Sequence, residues 1–194
     1  MVKMKTKKIK IAFFTRFRNK IRLSGEDHSI SISPSAKVRN CTLRIKGKDN
    51  ILEIESGVNM RGCEIEIDGN NCSLIIGKGS IIGKNCYLSA RENGTRLSIG
   101  ENCMLSRNVK VMTSDGHDIL KDNVRINPSK NISIGNHVWL ADNTTILKGA
   151  SIGDSSIIGI NSTLTKPIPS NTIAAGNPAK VINNGVDWDE NLTF

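Results

Sequence analysis

An all-β, three-sided parallel solenoid is the fold class this 194-residue sequence predicts, on three observations. Large aliphatic residues recur at every sixth position. A small or β-branched residue stands two places ahead of each, and aromatic residues make up only 4% of the chain. From residue 134 the aliphatic series reads Ile134, Leu140, Ile146, Ile152, Ile158, Leu164, with Val138, Thr144, Ala150, Ser156 and Ser162 at the small position. Six residues make one short strand and a corner, and three such units close a coil of about eighteen residues. The aliphatic points inward, the small residue fills the crowded corner, and coils stack at the spacing of paired strands. An antiparallel sheet would instead alternate with period two between hairpin turns.

The lead, residues 1–27, is basic. Residues 1–22 hold Lys3, Lys5, Lys7, Lys8, Lys10, Arg16, Arg18, Lys20 and Arg22 and no acid, while the rest of the chain balances 18 basic against 18 acidic residues. A neutral body is not expected to bind nucleic acid or another polyanion. Phe13, Phe14, Phe17 and Ile21 stand near helical spacing, so the lead reads either as a cap over the solenoid's open end or as a basic amphipathic contact of residues 1–22 with anionic membrane or acidic polymer.

Residues 28–182 carry the coils. Ile32 and Val38 (with Ala36 and Thr42 at the small position), Ile54 and Met60 (with Val58), Ile76, Ile82 and Leu88 (with Ser80 and Cys86), and Ile99, Leu105 and Val111 (with Cys103 and Val109) keep the period. The register breaks near 44–53, 64–75, 89–98 and 112–133, the last long enough for a loop excursion. Residues 183–194 form a tail whose Trp188 is expected to pack back on the surface of the assembled protein. Five cysteines with no CxxC and no secretion signal read as reduced thiols in a cytoplasmic protein. No apolar run is long enough to span a membrane, which leaves a protein that is soluble or peripheral at the membrane's inner face.

Several phrases carry a family resemblance. Ile134-Gly-Asn-His-Val-Trp-Leu-Ala-Asp-Asn-Thr-Thr-Ile-Leu-Lys-Gly149, Ile152-Gly-Asp-Ser-Ser-Ile-Ile-Gly159, Thr165-Lys-Pro-Ile-Pro169 and Ile173-Ala-Ala-Gly-Asn-Pro-Ala-Lys-Val-Ile182 closely resemble the hexapeptide-repeat acetyltransferases. Val111-Met-Thr-Ser-Asp-Gly-His-Asp-Ile119, Arg125-Ile-Asn-Pro128 and Val186-Asp-Trp-Asp189 look most like the bacterial capsule and surface-polysaccharide O-acetyltransferases. The resemblance covers about residues 28 to 189. It implies a left-handed parallel β-helix, a homotrimer, and acetyl-CoA in a groove between neighbouring subunits. Two features set the chain apart from other branches. It lacks the long helical N-terminal domain of serine acetyltransferases. It also lacks the acceptor motif of galactoside and maltose acetyltransferases, since residues 87–96 read Tyr-Leu-Ser-Ala-Arg-Glu-Asn-Gly-Thr-Arg.

Moving an acetyl group from a thioester to a hydroxyl needs a base for the alcohol proton and a donor for the tetrahedral oxyanion. Of the three histidines, His117 sits in the excursion, where loops on rigid scaffolds hold functional groups, and it matches the family's catalytic histidine. Asp115 or Asp118 is placed to orient it, with Asp115 preferred. His137 reads as an outward strand residue, and His28 has no chemical context. Trp139 reads as an interface aromatic or, by the resemblance, as an active-site indole against the donor's thioester end and the acceptor sugar. The resemblance further points to Ala141, Asp142, Gly159, Ile160 and Thr165 along the pantetheine groove, with a backbone N–H near Asp142 as oxyanion donor. Lys166 and Lys180 would meet the nucleotide phosphates.

The expected function is direct acetyl transfer from acetyl-CoA to a sugar hydroxyl of a capsular or cell-surface glycan or its precursor, with no metal. The alternatives are N-acetylation of an amino sugar and a non-catalytic β-helix scaffold. A γ-type carbonic anhydrase on a similar helix needs three histidines converging on zinc, which His28, His117 and His137 do not match in spacing.

Overall fold

The structure is a computed structural model that describes residues 8–191; Lys3, Lys5 and Lys7 of the basic lead lie outside them. The described residues wind through three sheets of seven, eight and seven strands, parallel except for the last strand of the eight, and from Ser29 onward each successive turn contributes one strand to each sheet. Face one begins with Lys8–Lys10 and Ser29–Ile32 and ends at Ser151–Ile152. Face two begins with Lys37–Arg39, includes Trp139–Leu140, and ends with Thr172–Gly176 and the antiparallel return strand Ala179–Asn184. Face three begins with Lys20–Glu26 and ends at Thr163–Leu164.

The inward positions are those the period marks. Every aliphatic of the series from Ile134 to Leu164 is at most 3% exposed, and Val138, Thr144, Ala150, Ser156 and Ser162 fill buried corners. Among the described residues no aromatic ring enters the core. Stacked turns place like residues at one level, which suits branched aliphatics whose neighbours above and below have the same shape.

Turns near the C-terminus take the expected eighteen residues: Ile134 pairs with Ile152 and Ile146 with Leu164. Upstream turns are longer, as in Ser29 to Ile51 to Ser73 and Thr42 to Glu64 to Tyr87. The sequence breaks mark this difference. Strands on face three such as Thr42–Lys48 bury two residues, Leu43 and Ile45, and those on face one such as Ile51–Ile54 bury Leu52 and Ile54. A search at period six registers one inward residue per face and loses the second. Here also Cys41, not Thr42, fills the corner, and Thr42 is half-buried. The five cysteines are free and buried.

The solenoid also starts earlier than residue 28. Lys8–Lys10 pairs with Ser29–Ser31, and Lys20–Glu26 pairs along the whole of Thr42–Lys48, so the lead is itself a turn. Among the described residues only Phe13–Phe17 (α1) is helical. Asn19 fastens this turn to the next: its amide donates to the Thr15 and Val38 carbonyls at 2.6 and 2.8 Å and accepts from the Cys41 N–H at 2.8 Å.

Corners require left-handed backbone. On the edge between faces two and three Asn40, Asn85, Asn108, Asn143 and Asn161 have φ of 54° to 60°, and the Asn108, Asn143 and Asn161 side chains form a ladder of 3.0 Å hydrogen bonds. Asparagine tolerates this conformation better than other non-glycine residues. Gly25, Gly47 and Gly69 stack in register on face three. A Cβ on Gly47, whose φ is +112°, would lie 1.9 Å from the Gly69 carbonyl oxygen, whereas one on Gly94 meets nothing within 4 Å. Gly47→Ala should therefore lower unfolding free energy by roughly 3 kcal/mol or more, and Gly94→Ala by only about 1 to 2 kcal/mol, the backbone cost alone. Denaturant melts of the two variants check this, and equal losses would refute the stacking constraint.

Candidate active site

The long break is an excursion on the edge between faces three and one. Lys110 pairs with Thr145, 35 residues on, and the intervening chain leaves the coil after Lys110–Met112 and returns at Ile132–Ile134. Its tip is a short antiparallel hairpin, Leu120–Lys121 against Val124–Arg125. His117 lies exposed just ahead of this hairpin.

Three polar groups hold the excursion down. Asn127 is buried; its amide donates to the Asp115 carboxylate and to the His117 carbonyl, both at 2.8 Å, and its oxygen accepts the Ile119 N–H at 2.7 Å. Lys148, from the next turn, donates to Asp115 at 2.5 Å and to the Asn127 carbonyl at 2.7 Å. Arg125 donates to Glu92 at 2.7 Å, and its Nε stands 2.9 Å from an Asp118 oxygen without the alignment of a hydrogen bond. Glu92 in turn accepts the Ser114 hydroxyl. Partial burial pushes the Asp115 carboxyl up. Hydrogen bonds from Lys148 and Asn127, and the charges of Lys148 and Arg125, outweigh it and hold the group below the ordinary carboxylate range. Asp115 therefore acts on the backbone around His117, with its hydrogen bonds going to Asn127 and Lys148 and none to the imidazole, and Asp118 faces Arg125.

A second feature lies elsewhere on the prism. A groove of about 540 Å³ runs over face two to the edge with face three, lined by Ile81, Met104, Trp139, Ala141, Asp142 and Ile160, with Gly83, Leu105, Ser106 and Arg107 completing it. Trp139 stacks in register on Met104 and Ile157, and its indole N–H donates to the Ser106 hydroxyl at 3.2 Å. Asp142 accepts the Arg107 N–H at 2.8 Å and is clasped by the Arg107 guanidinium, which holds its carboxyl below the usual range. This carboxylate fastens the groove's rim.

Four of the expected donor-site residues, Trp139, Ala141, Asp142 and Ile160, thus share one groove. Gly159 lies directly below it, where a Cβ would stand 3.0 Å from that of Ala175, and Lys180 pairs with Ala175 in the return strand. Thr165 and Lys166 are exposed on the opposite side, following Thr163–Leu164 toward the edge that carries the excursion. His117 is not part of the groove either. Within one chain, the imidazole and the groove belong to different edges.

The third edge, between faces one and two, holds His137. It is no outward strand residue but a left-handed corner residue with φ of 53°. Trp188 from the tail stacks on its ring at 4.4 Å, donates its indole N–H to the His137 carbonyl at 2.7 Å, and lies 5.9 Å from Trp139. The tail thus packs on its own chain. His28 is fully buried and its Nε2 lies 3.2 Å from the Ser24 carbonyl. Sequence reasoning missed Asn127, Lys148, Glu92 and Arg107. The quoted phrases contain Asn127 and Lys148 but gave neither a role.

No protein-family model matches the chain. The crystal structure of the polySia-specific acetyltransferase NeuO superimposes over 89% of this chain and 73% of its own, with TM-score 0.82 and 32% identity. A polysialic acid O-acetyltransferase of Escherichia coli O1:K1 is 35% identical over 117 residues, 59% of this chain and 38% of its own length. A galactoside O-acetyltransferase of Escherichia coli (strain K12) is 37% identical over 125 residues, 61% of this chain and 60% of its own. The match thus spans less than two thirds of these curated relatives. The chain belongs to the hexapeptide-repeat acetyltransferases, among relatives that include capsule O-acetyltransferases, and its solenoid is their left-handed parallel β-helix.

The Asp115 brace has a definite pH dependence. Because its folded pKa is depressed, its contribution is complete above the unfolded value of about 4 and is lost as pH falls through the folded value. Amide exchange over residues 113–130 should therefore accelerate on acidification below about pH 4, and Asp115→Asn should remove that acid-dependent component. An unchanged acid response in the variant would detach Asp115 from the brace.

Proposed function

We propose that the protein is an acetyl-CoA-dependent O-acetyltransferase whose acceptor is a sugar hydroxyl of a cell-surface glycan or its precursor. The observation that carries this reading is the division of the site between two edges of the prism. An exposed imidazole rides on a braced excursion at one edge, and an apolar, tryptophan-walled groove lies along another. Such a groove suits a pantetheine arm, which is thin, largely apolar and recognised through backbone groups. Structures of relatives support the donor: one hexapeptide-repeat acetyltransferase of the same fold, from Vibrio cholerae, is described in complex with acetyl-CoA. The acceptor class rests on the polysialic acid and galactoside O-acetyltransferases described above.

In this mechanism the His117 imidazole takes the hydroxyl proton as the sugar oxygen attacks the thioester carbonyl. The tetrahedral oxyanion is met by a backbone N–H near Asp142. Its collapse breaks the C–S bond, and the imidazolium returns the proton to the departing thiolate. Asp115 is a positioning residue that acts through Asn127 on the His117 backbone. Lys180, and Lys166 from the opposite edge, would meet the nucleotide phosphates as point charges.

Since one chain keeps imidazole and groove apart, a working site needs a second copy. A cyclic trimer sets the excursion edge of each copy against the groove edge of the next, and brings Thr165 and Lys166 to the donor from the excursion side. The hairpin's Ile119, Leu120, Val124 and Ile126, each more than half exposed, are apolar surface for such a contact.

His117→Ala should lower turnover by about two to four decades and leave CoA affinity unchanged. Near-normal turnover would remove imidazole base catalysis from the reading. Co-expression tests the shared site. His117→Ala and the groove-filling Ala141→Phe should each be inactive alone, yet mixed oligomers should regain activity at roughly a quarter of their interfaces. Absence of any recovery in purified mixed oligomers would place the whole site within one chain.

A further inference from the structure

We infer that the N-terminal tip of the solenoid is a docking surface for an anionic lipid bilayer. The tip carries two sets of side chains with different fates. Ile11, Thr15, Ile21 and Leu23 face the core and close the open end of the solenoid. Phe13, Phe14 and Phe17, in the same short stretch, do not contribute to that closure: they are 77%, 71% and 83% exposed, and Phe13 and Phe14 meet only edge to face. These are three of the chain's four phenylalanines, and among the described residues the core contains no aromatic ring.

Cations surround them. Lys8, Lys10, Arg16, Arg18, Lys20 and Arg22 are all exposed, and no acidic residue occurs from 8 to 25. The nearest in sequence, Glu26, is paired with Lys48. A ring of cations around protruding aromatics is complementary to a bilayer surface, with phenyl rings at the acyl boundary and Lys and Arg at anionic headgroups. A soluble polyanion would satisfy the charges and leave three rings in water. A second copy, tip to tip, would bury the rings but set six cations against six. The lipid surface satisfies both sets.

The test is co-sedimentation of the full chain with phosphatidylcholine vesicles, with and without about one third phosphatidylglycerol, at low and high salt. The chain should sediment with the anionic vesicles, at least about tenfold more strongly than with neutral ones, and release on raising salt. Phe13→Ser/Phe14→Ser/Phe17→Ser should lower the partition about tenfold or more while keeping the wild-type melting temperature, because those rings hold nothing in the fold. Arg16→Gln/Arg18→Gln should weaken binding to anionic vesicles alone. Several results would overturn the proposal: no anionic vesicle binding, equal binding to neutral vesicles, or a phenylalanine variant that binds undiminished. A fourth would be a tip-to-tip dimer that dissociates in the phenylalanine variant. Heparin displacing wild-type and phenylalanine variant equally, without a phenylalanine effect on vesicles, would assign the charges to a polymer instead. None of these outcomes depends on the acetyl-transfer reading.

Discussion

Backbone hydrogen bonding between successive turns is the constraint from which the rest of the molecule follows. Each turn donates to the one after it, as from Ser29 to Asn50, Ile51 to Cys72 and Ser73 to Thr95, near 2.9 Å in each case. Once turns are locked at the spacing of paired strands, whatever stands at one level stands close to its counterpart at the next. Inward positions then accept only shapes that stack on themselves, and corners accept only residues that tolerate left-handed backbone. The interior is filled along its length, so chemistry is confined to outward side chains, corners and places where the chain leaves the coil.

That confinement explains how the site is distributed. A prism has three edges, and this one uses each differently: the excursion with His117 on one, the Asp142 rim of the groove on another, the His137–Trp188 stack on the third. Asp115, expected to orient His117, and Asp142, expected along the pantetheine groove, are both fasteners. Asp142 is spent on Arg107, and Asp115 on Lys148 and Asn127. Held ionised by neighbouring cations, neither is suited to exchange protons near neutrality, and the proposed mechanism therefore gives that task to the His117 imidazole.

The solenoid was legible because its energetics are periodic. Ile134 to Leu164 repeat because the same steric question is posed at every turn. Legibility failed where the answer depended on how wide a turn is: the second inward residues Ile45 and Ile67 read as broken register, and Thr42 took the place of Cys41. It failed again where contacts join distant positions. Asn127 reaches Asp115 across 12 residues, and Lys148 reaches Asp115 across 33. No spacing rule marks such pairs, since the loop between them is free to vary while its ends are fixed by the coil. His137 illustrates a subtler loss. Its neighbours in the pattern suggested a strand, but it occupies the corner that Asn102 and Ser155 occupy in adjacent turns. The sequence of one turn does not say which residue takes the bend.

The two ends of the solenoid meet the same requirement in different ways. At the C-terminal end, Ala179–Asn184 folds back antiparallel on Thr172–Gly176, so that the last strand of face two is paired on both sides. At the N-terminal end, α1 lies over the first strand of face two, fastened by Asn19, and keeps its aromatic side away from the protein. A cap needs only an apolar inner face, which Ile11 and Thr15 provide; outward phenylalanines add nothing to closure and expose apolar area to water. Were copies to assemble side by side with their axes parallel, three such tips would face the same way. Weak attraction at each would then combine, since after the first contact the other two are held at high effective concentration. The proposed edge-to-edge assembly and the proposed surface contact of the tip are thus compatible demands on one geometry: the first would use the sides of the prism and the second its end.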